Sequence, residues 1–489
     1  MEREVTVETL DLQVSAETEK RYDNFSEEYS YFLKEYLFRL FGVTKDIVPL
    51  PVLLNGSWEF PRVRVTESWI FFSAYKKTYF KISVSDMPYV DEDSVSLAIS
   101  IIDAFLICAE YKSTNETERR NRYRSEVARD RAYKLAIQDG ISRWIFGSSD
   151  AETLAKFFDL IEKWSVKTYE GKHVSLGFLV NPSSQKEAIL PFDELLDFLN
   201  DDSSAVLSDC IHSVLEVDRE CNLIDYHSIT DDLNHLPACT LNSNVPIRFV
   251  QIVQSYLPQR VNEAGSDKVG VFLLSNGDIL LVKNGTTRFV KRNLQWLNLS
   301  ESAFINSLQS FMESAQINYG FDLEGEKTLR SVYASVLDVS FAHSGGIIAI
   351  VNPGCVEELM QKNILSSFDN LQISNEDADA FANVWKQKIP QKEKMIRRKL
   401  LKQLIQKCSY FELDRKLRCE LIALDGACII DWNGVVYSFG AIIQNDSGIT
   451  TGGRSAAAKK LSRYGAAIKI STDGYIDVYV DEELVYSIK

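Results

Sequence analysis

The chain has 489 residues and carries 54 Lys and Arg against 69 Asp and Glu, which gives a formal net charge of −15. This balance argues against general binding to duplex nucleic acid or to an anionic membrane surface, because both are polyanions. The length and a hydrophobic fraction of 45% predict about two to four globular domains with substantial cores. The eight cysteines include no CxxC pair, which argues against a zinc ribbon and a disulfide framework.

Nothing in the sequence predicts insertion into a membrane. No stretch reaches the roughly 18 uninterrupted apolar residues of a membrane span, and the acidic N-terminus lacks the apolar core of a signal peptide. The nearest candidate, Leu97 to Ala109, is shorter and contains Asp103. We therefore expect a soluble, cytoplasmic protein.

Residues 1–150 are predicted to form an α+β, largely helical N-terminal region. Aromatic residues on a charged background predict an amphipathic helix over Glu17 to Phe41, and β-prone alternation predicts two or three strands over Trp58 to Val84. Helices are also predicted over Ser94 to Glu110 and Thr117 to Phe146. The helix over Thr117 to Phe146 has many arginines with acidic residues at i,i+4 spacing, which is typical of a solvated, salt-bridged helix. The alternative is a basic face that binds single-stranded nucleic acid or an acidic partner.

Residues 151–245 are predicted to form a small α+β middle region. The pattern predicts a helix over Ala151 to Trp164, a strand over His173 to Val180, a helix over Phe192 to Leu199 and a hairpin over Leu215 to Ile229.

Most of the histidines fall in this middle region: His173, His212, His227 and His235. Together with Asp231 and Asp232 they could supply metal ligands, but their spacing fits no metal motif. We therefore do not expect a metal site among them.

The third region, residues 246–489, follows a linker predicted between Pro237 and Pro246. Hairpins are predicted at Ser275-Asn276-Gly277-Asp278 and at Asn284-Gly285. Helices over Ser302 to Ser314 and Thr328 to Ala342 then lead through Ser344-Gly345-Gly346 to a buried strand over Ile347 to Val351.

A mostly helical segment from Asn375 to Cys408 is strongly basic and is interrupted by Pro390. Its apolar residues predict a stripe that faces the core, and these are Met395, Leu400, Leu401, Leu404 and Ile405. The simplest interpretation of its charges is the solvated outer face of a core helix. The functional alternative is a positive rim that draws a polyphosphate toward Asp425.

The most informative stretch runs from Glu420 to Tyr479. Asp425-Gly426-Ala427 precedes a hairpin with Asn433-Gly434 at its turn, and a loop with Gly452 and Gly453 opens a helix from Arg454. A glycine-rich loop at a helix N-terminus can hold phosphate, because backbone N–H groups and the positive end of the dipole face the anion. The positive charge of Arg454 is repelled by the positive end of this helix dipole unless an anion lies between them. An acidic residue at a strand end, Asp425, would hold the divalent metal that accompanies phosphates.

The motifs occur in an order that resembles the diadenylate cyclase domain. That family carries a D-G-A motif, then G-T-R-H-R-A-A, then V-S-E-E-T-G; this chain has DGA, GGRSAAAKKLS and the ISTDG strand turn at similar spacing. The segment LDVSFAHSGGIIAIV also resembles the first conserved helix and strand of that domain, with His343 at its entry loop. The resemblance covers about residues 260 to 489.

The resemblance implies an α/β fold whose C-terminal mixed sheet is flanked by helices. It assigns Asp425 to metal binding and to activation of an attacking 3′-hydroxyl. It assigns nucleotide contacts to Gly426, Ala427, Thr451, Gly452, Gly453 and Arg454. Ser455 and Ala456 stand where the family has His and a second Arg, and Thr472 and Asp473 stand where it has two glutamates. Lys459 and Lys460 could partly replace the missing guanidinium.

Three functions are consistent with the sequence. The first is a nucleotide sensor of a bacterial defence or signalling system, which binds ATP or a cyclic dinucleotide with Mg²⁺ or Mn²⁺ and signals through its N-terminal half to a partner protein. The second is an active diadenylate cyclase that makes cyclic di-AMP from two ATP in a head-to-head homodimer. The third is a scaffold that acts through the basic helices at 117–146 and 386–407.

Overall fold

The structure, a computed structural model, describes residues 24–53, 62–73, 78–87, 90–111, 126–147, 151–169, 171–200, 208, 213–228, 268–283, 286–314, 323–388, 392–405, 408–443 and 452–489. The predicted linker between Pro237 and Pro246, the turn at Asn284-Gly285, the start of the helix predicted from Thr117, and Thr451 lie outside the described residues. The chain divides into two compact units, Met1–Leu299 and Ser300–Lys489. None of the described helices is long and apolar enough to cross a membrane.

The N-terminal unit begins with the predicted amphipathic helical segment. Its elements are α1 (Asn24–Phe32), a π-helical turn (Leu33–Leu37) and α2 (Phe38–Leu40). Tyr29 and Phe32 are fully buried, and the rings of Phe32 and Phe105 stack with centroids 4.2 Å apart. The aromatic stripe is therefore a packing face, as the sequence predicts.

An antiparallel sheet and two long helices follow. The sheet has the order β1-β4-β3-β2 and consists of β1 (Leu50–Leu53), β2 (Val63–Val65), β3 (Trp69–Ser73) and β4 (Thr78–Ser83). Helices α3 (Glu92–Tyr111) and α4 (Glu126–Phe146) pack along each other. In α4 the i,i+4 ion pairs Asp130–Lys134 and Asp139–Arg143 confirm the salt-bridged character predicted for this helix.

The second sheet of this unit joins two regions that the sequence analysis separated. Its elements are α5 (Ala151–Trp164), β5 (Thr168–Tyr169), β6 (Lys172–His173), β7 (Leu176–Val180), α6 (Phe192–Asn200), β8 (Ser213–Val217), β9 (Leu223–Ser228), β10 (Val269–Leu273), β11 (Ile279–Lys283), β12 (Thr286–Arg292) and β13 (Gln295–Asn298). Apart from the short β5–β6 ribbon, these strands form one seven-stranded sheet of order β13-β12-β11-β10-β7-β8-β9.

The expected boundary at residue 246 thus differs from the observed division. Strand β10 pairs antiparallel with β7 along its whole length, from Val269 opposite Val180 to Leu273 opposite Leu176. Every side chain of both strands is buried, so the hairpins of β10–β13 complete the core of the N-terminal unit. The division in the described chain falls after them, between Leu299 and Ser300.

The C-terminal unit is built around one mixed sheet. Its elements are α7 (Glu301–Ser314), α8 (Leu323–Phe341), β14 (Gly346–Val351), α9 (Val356–Gln361), α10 (Asn375–Val384), α11 (Lys392–Ile405), α12 (Arg415–Ile422), β15 (Ala427–Asp431), β16 (Val436–Ala441), α13 (Gly453–Ser462), β17 (Gly465–Ile470), β18 (Ile476–Val480) and β19 (Glu483–Ile488). The strand order is β16-β15-β14-β17-β18-β19, and only β14 and β15 are parallel. The predicted α/β fold with a mixed sheet flanked by helices is confirmed.

Helices cover both faces of this sheet. On one face α9 and α13 pack against alternate residues of β14, which are Ile347, Ala349 and Val351. On the other face Phe304 of α7 contacts Tyr333 of α8 and Tyr486 of β19, with ring centroids 5.1 and 6.2 Å apart. The sheet is therefore the middle layer of three.

In helix α11, several apolar residues that were predicted to face the core are exposed instead. Of the predicted core-facing stripe, Ile405 is buried, but Leu400 and Leu404 are 61% and 47% exposed. Arg398 is only 4% exposed instead, and it donates hydrogen bonds to four backbone carbonyls, those of Ser367, Phe368, Ile373 and Ser374. The prediction of a core-facing stripe was wrong because the loop beneath α11 presents carbonyl groups, and these require a donor.

We predict that Arg398→Leu lowers the free energy of unfolding of the C-terminal unit by about 2–4 kcal/mol, because buried carbonyls lose charged donors. Lys399→Leu is the matched control, since the neighbouring Lys399 is exposed. Urea denaturation of both variants measures the difference. Equal stabilities for the two variants would contradict the role assigned to Arg398.

Candidate functional site

The DGA motif lies at the start of β15, directly after α12. Asp425 is exposed there, and Gly426 has a φ of +115°. A Cβ on Gly426 would lie 2.4 Å from the carbonyl carbon of Gly440 in β16, a distance that no side chain allows. Glycine is therefore required at this position, and the tight contact fixes the backbone that carries Asp425.

Arg454 lies against the start of the neighbouring strand, β14. Its Nη1 atom is 2.9 Å from the point that a Cβ of Gly345 would occupy, and Thr472 Cγ2 is 3.2 Å from the same point. Gly345 has a φ of +66°. The structure therefore brings together Arg454, the Gly345 turn and the end of β17.

Strand register places this group beside Asp425. Ile347 and Ala427 are paired in the parallel ladder of β14 and β15, so Gly345 and Asp425 occupy equivalent positions before the two strands. Neighbouring strands are about 5 Å apart. Asp425 and the Arg454 contact thus lie at the same edge of the sheet.

These two charges have no partner in the described part of the chain. Asp425 and Arg454 are both exposed, and among the described residues neither makes a hydrogen bond or an ion pair. The same holds for Asp473, which lies in the exposed turn between β17 and β18. The sheet edge therefore presents a carboxylate and a guanidinium that remain available to a ligand.

Other predicted site residues have structural contacts. Ser455 is hydrogen-bonded to Tyr479 of β18, and Lys459 Nζ lies 5.9 Å from the Tyr479 ring centroid. Ala427 belongs to the apolar core of the α9 and α13 face. Gly452 and Gly453 are exposed at the start of α13. Lys460, half-buried on the same helix, is not available as an unpaired charge.

Asp431 forms part of the hairpin turn predicted at Asn433-Gly434. Its Oδ1 atom accepts hydrogen bonds from the backbone N–H groups of Asn433 and Val435, and Oδ2 accepts one from the Tyr437 hydroxyl. Asp431 is buried and cannot serve as a second carboxylate beside Asp425.

An apolar groove adjoins Asp425. It has a volume of about 860 Å³ and lies between α11 and the residue that precedes Asp425. Its lining is Glu393, Ile396, Arg397, Leu400, Leu401, Gln403, Leu404 and Leu424. The groove is broad and open to solvent, and its walls are mainly apolar with a few polar groups. This groove is not predicted from the sequence, because the apolar residues of α11 were expected to face the core.

Asp425 could hold a divalent cation only together with a ligand. Among the described residues, one group of three metal-ligating side chains lies close together, and it is in the N-terminal unit. Among the described residues, no group of three such side chains includes Asp425. Mg²⁺ commonly binds in this way, through one or two carboxylates with substrate phosphates and waters.

The group in the N-terminal unit is formed by Glu216, Asp225 and His227. Lys268 Nζ lies 2.8 Å from Glu216, Asn181 donates a 2.7 Å hydrogen bond to the same carboxylate, and Lys186 pairs with Asp225. The carboxylates already have cationic partners, which makes this an ion-pair network. A histidine metal site was not expected, and His227 is the histidine that the structure places in this network.

No protein-family model matches the chain, and a search of curated proteins gives no significant match. The resemblance to the diadenylate cyclase domain therefore stays a prediction from the motifs, and the function must be argued from the site itself.

We predict that Glu216 makes the stability of the N-terminal unit depend on pH in the acid range. Burial alone raises the pKa of Glu216, but hydrogen bonds from His227, Lys268 and Asn181 outweigh it and lower the pKa from 4.5 to about 2. A lowered folded-state pKa gives stability that is present above pH 4.5 and is lost as the pH falls toward 2.

The measurement is urea denaturation between about pH 6 and pH 3, compared with Glu216→Gln. The wild-type midpoint should fall more steeply than that of the variant below about pH 4.5. Glu187→Gln serves as the control, because Glu187 is exposed. Parallel pH profiles for wild type and Glu216→Gln would contradict the prediction.

Proposed function

We propose that the C-terminal unit binds an adenine-type nucleotide together with Mg²⁺ or Mn²⁺, and that the protein acts as a nucleotide sensor. One observation carries the proposal: Asp425 precedes β15, the guanidinium of Arg454 in α13 lies against Gly345 just before the neighbouring β14, and both charges lack partners in the described chain. Exposed opposite charges that lie close together usually pair, so two that remain separate at one edge are suited to a ligand that carries both signs. A metal–phosphate group is such a ligand.

Each part of the edge suits one part of a nucleotide. Arg454 offers the guanidinium fork that pairs with phosphate oxygens, and α13 begins at Gly453 with exposed backbone at its N-terminus. Asp425 would bind the metal, which would neutralise phosphate charge. The apolar groove beside Leu424 would accept the base and its ribose.

The motif order supports the diadenylate cyclase-like assignment, and the departures from it favour a sensor. Where the cyclase family has a histidine in its arginine triplet, Ser455 bonds to Tyr479. A site with fewer phosphate ligands is better suited to binding than to stabilising the charge that develops in phosphoryl transfer. Under this proposal, occupancy of the site is reported to a partner protein through the N-terminal unit.

We predict that Asp425→Asn raises the Kd for ATP by about tenfold in the presence of Mg²⁺, because the metal loses its protein ligand. In EDTA, Asp425→Asn should lower the Kd for ATP or leave it unchanged, since a carboxylate repels a metal-free triphosphate. Isothermal titration calorimetry measures both conditions.

Asp481→Asn is the matched control. Asp481 is also exposed, lies in the turn between β18 and β19, and has a φ of +47°, which asparagine tolerates. This turn is at the opposite end of the sheet, since Val480 pairs with Ala466 and Ala466 with Ile350. Wild-type protein that binds neither ATP nor cyclic di-AMP would refute the proposed function.

The same proteins separate the sensor from the alternative enzyme. After incubation with ATP and Mn²⁺, mass analysis would show cyclic di-AMP if the protein is a diadenylate cyclase, and Asp425→Asn would abolish it. Saturable ATP binding without any product supports the sensor.

A further inference from the structure

A second arginine approaches the DGA loop from a different helix. Arg397 of α11 donates a 3.2 Å hydrogen bond from Nη2 to the carbonyl oxygen of Phe439 in β16. The same Nη2 atom lies 2.0 Å from the point that a Cβ of Gly440 would occupy. Any side chain at Gly440 would therefore displace the guanidinium, and the φ of +74° at Gly440 also favours glycine.

Gly440 is also in contact with the loop that carries the candidate metal ligand. The carbonyl oxygen of Asp425 is 3.0 Å from the same Cβ point, and Gly426 packs directly on Gly440. The guanidinium of Arg397 thus contacts β16, next to the loop that precedes β15. The guanidinium of Arg454 contacts Gly345, just before β14. Each guanidinium lies against a glycine with positive φ. Asp425 precedes β15, the strand between the two strands that these glycines belong to or precede.

The helices that carry the two arginines are both linked to the same apolar core of the sheet. Arg454 belongs to α13, which packs on the face of Ile347 and Ala349. Helix α11 is bound through Arg398 to the loop that contains Ile373, and Ile373 packs on that same core. Two strand spacings separate Gly345 from Gly440, which is roughly 10 Å.

We propose that Arg397 and Arg454 together bind a chain of two or more phosphates across Asp425, so that the site prefers a nucleoside polyphosphate to a monophosphate. This inference rests on the proposed nucleotide-binding function. A single phosphate cannot reach both guanidiniums at that separation, whereas a polyphosphate chain with a metal at Asp425 can. Arg397 is the residue that sets this preference.

The local charges leave Arg397 available for an anion. Asp369, a carboxyl group whose pKa burial raises, interacts electrostatically with Arg397 and also with Lys394 and Arg398. Three cations thus share one carboxyl group. In the described part of the chain, the Arg397 guanidinium donates a single hydrogen bond, to Phe439.

The test is calorimetric titration of Arg397→Gln with Mg·ATP, AMP and inorganic tripolyphosphate. We expect the Kd for ATP and for tripolyphosphate to rise about tenfold or more, because a charge-assisted pair is lost. The Kd for AMP should change less than about twofold. Arg397→Lys should recover part of the ATP affinity, since it keeps the charge but not the fork.

Lys399→Gln is the control for loss of one positive charge on the same helix, since Lys399 is exposed. Arg454→Gln is the positive control for loss of a phosphate ligand. If wild type binds the nucleotides and Arg397→Gln matches Lys399→Gln, only the inference about Arg397 fails. It fails as well if ATP and AMP affinities fall together, since a structural role would produce that result. If wild type binds cyclic di-AMP but neither ATP nor tripolyphosphate, only the inference about Arg397 fails. If it binds none of the three, the proposed function fails with it.

Discussion

The backbone contact between Gly426 and Gly440 is the constraint on which the candidate site depends. A Cβ on Gly426 would be 2.4 Å from the carbonyl carbon of Gly440, so β15 and β16 can approach this closely only because position 426 is glycine. This close approach ends the β15 ladder at Ala427 and leaves Asp425 exposed. It also leaves room above Gly440 for the guanidinium of Arg397. A larger residue at either glycine would alter the carboxylate and the arginine together.

The anchoring of α11 by Arg398 determines what the rest of that helix presents. Four carbonyl groups hold Arg398 in the loop beneath the helix, so the residue one position earlier, Arg397, is directed to β16. With the buried face of the helix occupied by a polar anchor, Leu400 and Leu404 form the wall of the groove beside Leu424. One buried cation thus positions both Arg397 and an apolar surface.

Features fixed by local chemistry could be predicted from the sequence, and features fixed by distant contacts could not. The hairpin turn at Asp431 is specified by its own side chain and by Asn433-Gly434, and helix α5 by its periodicity. The pairing of β10 with β7 joins segments about ninety residues apart, and nothing local to either strand specifies it. The apolar pattern of α11 predicts a buried face, but the acceptors that bury Arg398 instead belong to another loop. The contacts of Arg454 with Gly345 and of Arg397 with Gly440 could not be predicted from the sequence for the same reason.

Ala456, which stands where the motif that this segment resembles has a second arginine, is buried in the packing of α13. Ala456, Ala457 and Ala458 are 5%, 6% and 0% exposed, and the last two belong to the core against β14. An arginine at position 456 would have to enter this closely packed helix–sheet contact, where an unpaired charge is costly. The second guanidinium therefore cannot come from α13 without separating the helix from the sheet. Helix α11 approaches the same sheet edge from outside that contact, and Arg397 reaches Gly440 without disturbing it.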